Sequence, residues 1–215
     1  MSYENRNLVW AIKQKGFLKT RELEQALLDT PRENYVPGNL KRFAYDDIPI
    51  SIGHRQTVSQ PTTVVVMTEA LEVKKNDKIL EIGAGSGWQA AILSRLTKKN
   101  VFTVETIHEL VELAKHNLSE NKIKNVKVIE GDGSKGLKKY APYDKIIVTA
   151  ASPEIPQPLL DQLKVGGKIV VPIGDYYSQE MTVVTKMSKT RFDKKFIGYF
   201  TFVPLIGKYG FETGR

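Results

Sequence analysis

Apolar positions recur at helical spacing at the start of the chain. Leu8, Val9 and Ile12 precede Gly16, and Leu23, Ala26 and Leu27 fall between Thr20 and Pro31, which predicts two short amphipathic helices. From Val36 to Gln60 the period breaks around Pro37, Gly38, Pro49 and Gly53, predicting a loop region. Pro61 is a favoured first residue of a helix, and Thr62 to Leu71 reads as that helix. From Lys78 onward strand-like and helix-like segments alternate. Ile79 to Ile82 is a short apolar strand, followed by glycines and a helix over Trp88 to Leu96. Val101 to Val104 is the next strand, and Thr106 with Glu109 forms a capping box for a helix whose stripe is Ile107, Leu110, Val111, Ala114 and Leu118. Val126 to Ile129 and Lys145 to Thr149 read as strands. Leu159 to Leu163 belongs to a helix that closes at Gly166 and Gly167, and Lys168 to Val171 is a fifth strand. Met181 to Met187 and Phe196 to Val203 are two more, with only a polar, basic stretch between them, which suits an antiparallel pair.

Such alternation predicts an α/β fold: a mostly parallel, twisted sheet with helices on both faces, a helical preface, and antiparallel strands at the C-terminal end. No repeat or Pro/Gly/Ser-rich linker divides the sequence. One domain over residues 1–215 is expected, with 1–60 as preface and 61–215 as the core and C-terminal strands.

Composition narrows the chemistry. Cysteine is absent, which removes disulfides, thiolate metal sites and cysteine nucleophiles. No run reaches the roughly 18 apolar residues that span a bilayer, and the opening residues carry no apolar signal core, so a cytoplasmic protein without membrane attachment is expected. Lysine and arginine number 32 against 24 acidic residues, a net charge of +8. That balance suits a phosphate backbone, but the basic residues come as scattered pairs such as Lys74-Lys75 and Lys138-Lys139, which also reads as a solvated surface. Nucleic acid is therefore not the expected partner, and a monomer is.

The first strand ends in Glu81-Ile82-Gly83-Ala84-Gly85-Ser86-Gly87, a G-x-G-x-G loop leading into a helix. In a doubly wound sheet such turns lie where ligands bind, although the same glycines also serve a tight turn with no ligand. Glu105 stands at the end of the next strand, 18 residues after Gly87. A carboxylate there accepts hydrogen bonds from the ribose hydroxyls of an adenosine cofactor, or else faces the dipole of the helix it precedes. Dinucleotide sites favour G-x-G-x-x-G, and here the third glycine comes one residue early. Glu81 would repel a pyrophosphate but suits the ammonium and sulfonium of S-adenosylmethionine. Asp132, between Gly131 and Gly133 after the third strand, is placed to accept from an adenine amino group or simply to make a turn. Together these point to S-adenosylmethionine as methyl donor, S-adenosylhomocysteine as product, and a Rossmann-like class I methyltransferase fold.

Three stretches carry a resemblance: Gly53-His54-Arg55-Gln56-Thr57-Val58-Ser59-Gln60-Pro61, the glycine loop through Trp88-Gln89, and Tyr143-Asp144-Lys145-Ile146-Ile147-Val148-Thr149-Ala150-Ala151. With Ile155 to Leu163, Gly166-Gly167-Lys168 and Phe202-Val203-Pro204-Leu205 in the same order, the chain resembles the protein-L-isoaspartate O-methyltransferases over almost its whole length. The resemblance implies repair of damaged protein by methylation of the free α-carboxylate of L-isoaspartyl residues, with D-aspartyl residues a further acceptor. It also implies that Gln56, Thr57, Val58 and Ser59 cover the methionine end of the cofactor, that Ser59 is the active-site residue, and that Thr106 and Gly133 join Glu105 and Asp132 around the adenosine. The methyl ester then collapses to a succinimide, whose hydrolysis returns some normal aspartate. Trp88 and Ile206 depart from the family's usual residues and bear on the shape of the peptide groove.

A carboxylate with a pKa near 4 is ionised at neutral pH, so neither base nor metal is required and the task is placement. Ser59, with N–H groups at the start of the helix after Pro61, is suited to hold one carboxylate oxygen; alternatively Ser59 or Gln60 caps that helix. His108 and His116 lie on the capped helix as surface residues, and His54 either touches substrate or only fills its loop. An RNA methyltransferase is the rival enzyme, yet the usual Asn/Asp-Pro-Pro-aromatic element is replaced by Thr149-Ala150-Ala151-Ser152-Pro153. A third reading, a binding module on a retired methyltransferase fold, is opposed by the intact Glu81, Gly83, Gly85, Gly87, Glu105 and Asp132.

Overall fold

A computed structural model describes residues 2–212. Helix α1 (Tyr3–Gln14) starts where Ser2 accepts the Asn5 N–H at 3.2 Å, and it buries Leu8, Val9 and Ile12. Helix α2 (Arg21–Leu28) buries Leu23, Ala26 and Leu27. Tight 3-10 turns follow at Arg32–Tyr35 and Gly38–Phe43. The expected loop region then holds a hairpin, β1 (Ile50–Gly53) and β2 (Gln56–Val58), with Ile50 opposite Val58. These strands are too short to show a period. The tip carries no Asn-Gly signal either, because His54 and Arg55 themselves adopt φ of 51° and 58°.

Helix α3 (Pro61–Leu71) leads to β3 (Ile79–Ile82), α4 (Trp88–Leu96), β4 (Val101–Glu105), α5 (His108–Glu120) and β5 (Val126–Glu130). Then come β6 (Tyr143–Val148), α6 (Gln157–Gln162), β7 (Leu163–Gly174), β8 (Gln179–Lys186) and β9 (Phe192–Phe200). The seven-stranded sheet has the order β5-β4-β3-β6-β7-β8-β9. Strands β5 through β7 run parallel, and β8 and β9 are antiparallel. The direction of succession reverses at β3, so the carboxyl end of β3 is the switch point, the place in such sheets where a crevice opens.

Local expectations are corrected at three places. The Thr106–Glu109 capping box does not form, since Glu105 Oε1 accepts the N–H groups of Thr106 and Ile107 at 2.8 and 3.1 Å from the strand end. Helix α6 stops at Gln162 and β7 begins at once, so Gly166 and Gly167 lie inside a strand, where the pairing with β6 shifts register between Tyr143 and Lys145. Strand β9 starts at Phe192 and ends at Phe200, and Val203 and Leu205 instead pair with Ala151.

Met67, Leu71 and Leu93 of α3 and α4 cover one face of the sheet over Ile79, Val101, Ile147 and Val170. Leu159 and Leu160 of α6 cover the other over Leu80, Ile146 and Ile169. Preface residues Leu8, Ile12, Leu23 and Leu27 share a third cluster with Val64 of α3, Ile92 of α4 and Leu118 of α5. At about 1.5–3 kcal/mol for each large side chain taken from water, this cluster is what holds the preface to the core. Among the described residues no helix is long and apolar enough to cross a membrane.

Candidate active site

Above the switch point lies a cavity of about 360 Å³, within the range of small-molecule sites. Four parts of the chain wall it. The hairpin and its exit give Gln56, Thr57, Val58 and Ser59, and α3 adds Val64 and Met67. The glycine loop gives Gly83, Ala84, Gly85 and Ser86, continued by Trp88 and Gln89. Strand ends give Ile82, Val104, Glu105, Thr106, Ile107, Gly133, Thr149 and Ala150, and Val203 to Ile206 close the C-terminal side.

The loop conformation requires glycine. Gly83 has φ 97°, and a Cβ there would collide with Thr149 Oγ1, which itself donates to the Ile82 and Gly83 carbonyls at 3.0 and 2.9 Å. Glu105 is buried, and its Oε2 accepts the Gly85 N–H at 3.0 Å while Oε1 serves the start of α5. The reading of Glu105 as a partner of the helix it precedes therefore holds, and the residue also lines the cavity. An ionised carboxylate offers about four acceptor positions, so three backbone bonds leave Oε2 able to take one more.

Three expected contacts are set behind the wall. Gly87 adopts φ 86° with its α-carbon against Ala114 and Leu118 of α5, so it permits close helix packing instead of facing the cavity. Asp132 is spent on the chain itself: Oδ1 accepts the Ser134 N–H and hydroxyl at 3.0 and 2.6 Å, and Oδ2 accepts the Lys208 N–H at 3.0 Å. Against the opposing effect of burial, these bonds from Ser134 and Lys208 hold its pKa below the usual carboxylate range. Glu81 points beneath the loop, fully buried, and neither carboxyl oxygen has a hydrogen-bond partner among the described residues. Burial pushes its pKa up to about 8, the nearby Thr103 hydroxyl, although outside hydrogen-bond geometry, pulls the other way, and the Glu105 charge adds to the rise, which favours the protonated form near neutral pH. Alternation along β3 is the reason, because its side chain shares the Ile79 face, packed under α3 and α4, and not the open strand end.

The start of α3 is capped from elsewhere. Neither the Ser59 nor the Gln60 side chain accepts a first-turn N–H, although Gln60 Oε1 takes the Thr63 hydroxyl at 3.3 Å; Asp47 accepts the Thr62 N–H at 2.9 Å and the Thr62 hydroxyl at 2.7 Å. Ser59 lines the cavity. With no N–H on Pro61 and that of Thr62 taken, the helix terminus offers an incoming anion less than the sequence suggests.

Sequence reasoning assigned no hydrogen-bonding role to Trp88 or Thr149, which line the cavity, or to Arg32 behind it. Trp88 donates from Nε1 to the Thr30 carbonyl at 3.0 Å, tying the preface to the cavity. Thr149 ends the strand beside β3, and that position next to the switch point was the available signal. Arg32 carried none, since a lone charged residue reads as exposed, yet it is completely buried. Among the described residues no three His, Asp or Glu side chains converge as a metal site would.

A family model described as protein-L-isoaspartate(D-aspartate) O-methyltransferase matches residues 3–210. The protein-L-isoaspartate O-methyltransferase of Hyperthermus butylicus is 44% identical over 217 residues, covering 96% of this chain and 90% of the relative. A solved protein-L-isoaspartate O-methyltransferase superposes with TM-score 0.86 at 29% identity, over 96% of this chain and 67% of the other. A Plasmodium falciparum chain assigned to the same activity and crystallised with S-adenosyl-L-homocysteine gives TM-score 0.83 over 94% of this chain and 98% of its own; at 23% identity it speaks to the fold alone. The glycine turn, the strand-end carboxylate and the hairpin thus meet around one cavity in a sequence that matches a single family model almost from end to end, and the chain belongs to the protein-L-isoaspartate (D-aspartate) O-methyltransferase family.

Proposed function

We infer that this chain transfers the methyl group of S-adenosylmethionine to the free α-carboxylate of L-isoaspartyl residues in damaged proteins. The observation that carries the reading is the convergence of the Gln56–Ser59 segment, the glycine loop and Glu105 on one cavity in a member of this family. The residues present fit the cofactor. Gly83 leaves room where a side chain would clash, and Glu105 Oε2 keeps an acceptor position for a ribose hydroxyl. Thr106 and Gly133 would hold the adenosine, and Gln56 to Ser59 would cover the methionine end. Gly87, Asp132 and Glu81 support this cradle from behind.

S-adenosylmethionine supplies an electrophilic methyl group on a sulfonium. The chain's part is orientation. The acceptor carboxylate arrives ionised, and the Ser59 hydroxyl would donate to one of its oxygens, leaving the other free as the attacking atom. Val203 to Ile206 wall the C-terminal side of the cavity. Holding two reactants at attack distance is worth roughly 7–11 kcal/mol of barrier, enough without a proton-transfer residue. The protein works in the cytoplasm as a monomer, with residues 1–215 as one functional domain and 1–60 supplying part of the active site. It acts on polypeptide and not on nucleic acid: at the end of β6 the backbone of Ala151 and Ser152 is bonded to Val203, Leu205 and Pro172, with no amide side chain to bond an acceptor amine.

A labelled-methyl assay on paired peptides that differ only in normal or isomerised aspartate tests the reading. Incorporation into the isomerised peptide alone is expected. Incorporation into tRNA with none into that peptide would overturn it.

A further inference from the structure

The Arg32 guanidinium is completely buried and has no carboxylate within ion-pair distance among the described residues. A buried charge is costly unless its donors are satisfied. Here five backbone carbonyls converge on its two terminal nitrogens, while Nε has no partner among the described residues. Nη1 donates to Ala44 and Asp46 at 3.1 and 3.2 Å, and Nη2 to Ile48, Val58 and Ser59 at 2.8, 3.2 and 3.0 Å. Burial lowers its pKa to about 10, opposed by the charges of Asp47 and Asp46, so it stays charged at neutral pH.

Two of those carbonyls belong to the segment that walls the cavity, and the other three lie on the 44–48 stretch that leads into β1. Asp47, within that same stretch, accepts the N–H and hydroxyl of Thr62. The backbone from Val58 to Thr62 is therefore gripped by its carbonyls at one end and by an N–H at the other, both times through the preface. The guanidinium carbon also lies 5.3 Å from the ring centroid of Trp88, which lines the cavity as well. A fold held only by burial has no need of a fork of five carbonyls that joins the 44–48 stretch to the cavity-lining Val58 and Ser59, and an apolar side chain would avoid the desolvation.

We propose that Arg32 is a positioning residue for methyl transfer: by fixing the carbonyls of Val58 and Ser59 it sets the direction of the Ser59 hydroxyl toward the acceptor carboxylate. The proposal rests on the reading of Ser59 given above. Lysine preserves the charge but brings three donors on one atom and cannot span carbonyls in a planar fork. Misplacing a reacting group by about 1 Å costs on the order of 100-fold in rate.

The test is Arg32→Lys, Ser59→Ala and the double variant in the full chain, each assayed for kcat and KM with an isoaspartyl peptide and for S-adenosylhomocysteine affinity. Arg32→Lys is expected to unfold cooperatively, to bind S-adenosylhomocysteine within about threefold of wild type, and to lose about 30- to 100-fold in kcat. The double variant is expected to be no slower than the slower single variant, because Arg32 acts through Ser59. Multiplying losses, unchanged kcat in Arg32→Lys, or a fall in cofactor affinity equal to the fall in rate would each overturn the proposal. If Arg32→Lys does not fold, Asp47→Ala loosens the same segment from its partly exposed side and is held to the same non-additivity with Ser59→Ala. Wild-type enzyme inert toward the isoaspartyl peptide would refute the functional reading instead, and needs no variant to be seen.

Discussion

Glu81 makes folding itself pH-dependent. Its ordinary pKa of 4.5 rises to about 8 in the folded chain. Between those values the unfolded chain has lost a proton that the folded chain keeps, so folding takes one up, and stability falls as pH rises. The slope is about 1.4 kcal/mol per pH unit, and across the window the loss totals at most about 5 kcal/mol, levelling off above pH 8. That is a large share of the 5–15 kcal/mol that typically holds a domain together. Glu81→Gln keeps the shape of the side chain and removes the titration. Denaturant unfolding of cofactor-free wild type and variant at pH 5, 6, 7 and 8 isolates the effect, because every other titrating group contributes equally to both. The variant is expected to gain steadily on the wild type, by several kcal/mol between pH 5 and pH 8. Parallel stability profiles, with a difference constant to within about 1 kcal/mol, would refute the assignment of a neutral buried carboxyl to this position.

Ser59→Ala is expected to leave S-adenosylhomocysteine affinity within about threefold while lowering kcat at least tenfold, as for the loss of one oriented donor; equal rates remove Ser59 from the mechanism. Asp132→Ala removes three hydrogen bonds to a charged acceptor and is expected to cost about 2–3 kcal/mol of stability by denaturant titration and to raise the peptide KM, by freeing the segment that follows Ile206. A tenfold loss of S-adenosylhomocysteine affinity with unchanged stability would return Asp132 to a direct adenine contact. Replacing His54 and Arg55, at φ of 51° and 58°, by Asn and Gly is expected to stabilise by about 1–2 kcal/mol, read as a higher melting temperature. No rise in melting temperature would show that the two residues carry no backbone strain.

The sheet and its helices were legible because their signals are local. Ile79 to Ile82, Val101 to Val104 and the stripe from Ile107 to Leu118 carry their period in the residues themselves, and burial in the structure follows it. The glycine loop was legible for a related reason, since residues at positive φ leave a mark in composition. Where caps differed, an acceptor outside the expected motif had intervened. Glu105 displaced the capping box at Thr106, and Asp47 took the cap expected of Ser59 or Gln60. The hairpin at Ile50 to Val58 was hidden because its strands are short and its turn lacks the residues that announce one.

By itself, then, the sequence determined the fold class, written in near-neighbour patterns of apolar, glycine and strand-end residues, and through its resemblance the family; the switch point came with the strand order. Only the tertiary structure decided which carboxylates face the cavity and which brace it. Glu81, Glu105 and Asp132 are chemically alike along the chain, and one lies under a helix pair, one at an open strand end and one against the C-terminal segment. The same holds for Arg32, whose five acceptors run from Ala44 to Ser59. Burial and hydrogen-bond partnership are properties of packed neighbours, and neighbours brought together by folding leave no period along the chain to be read.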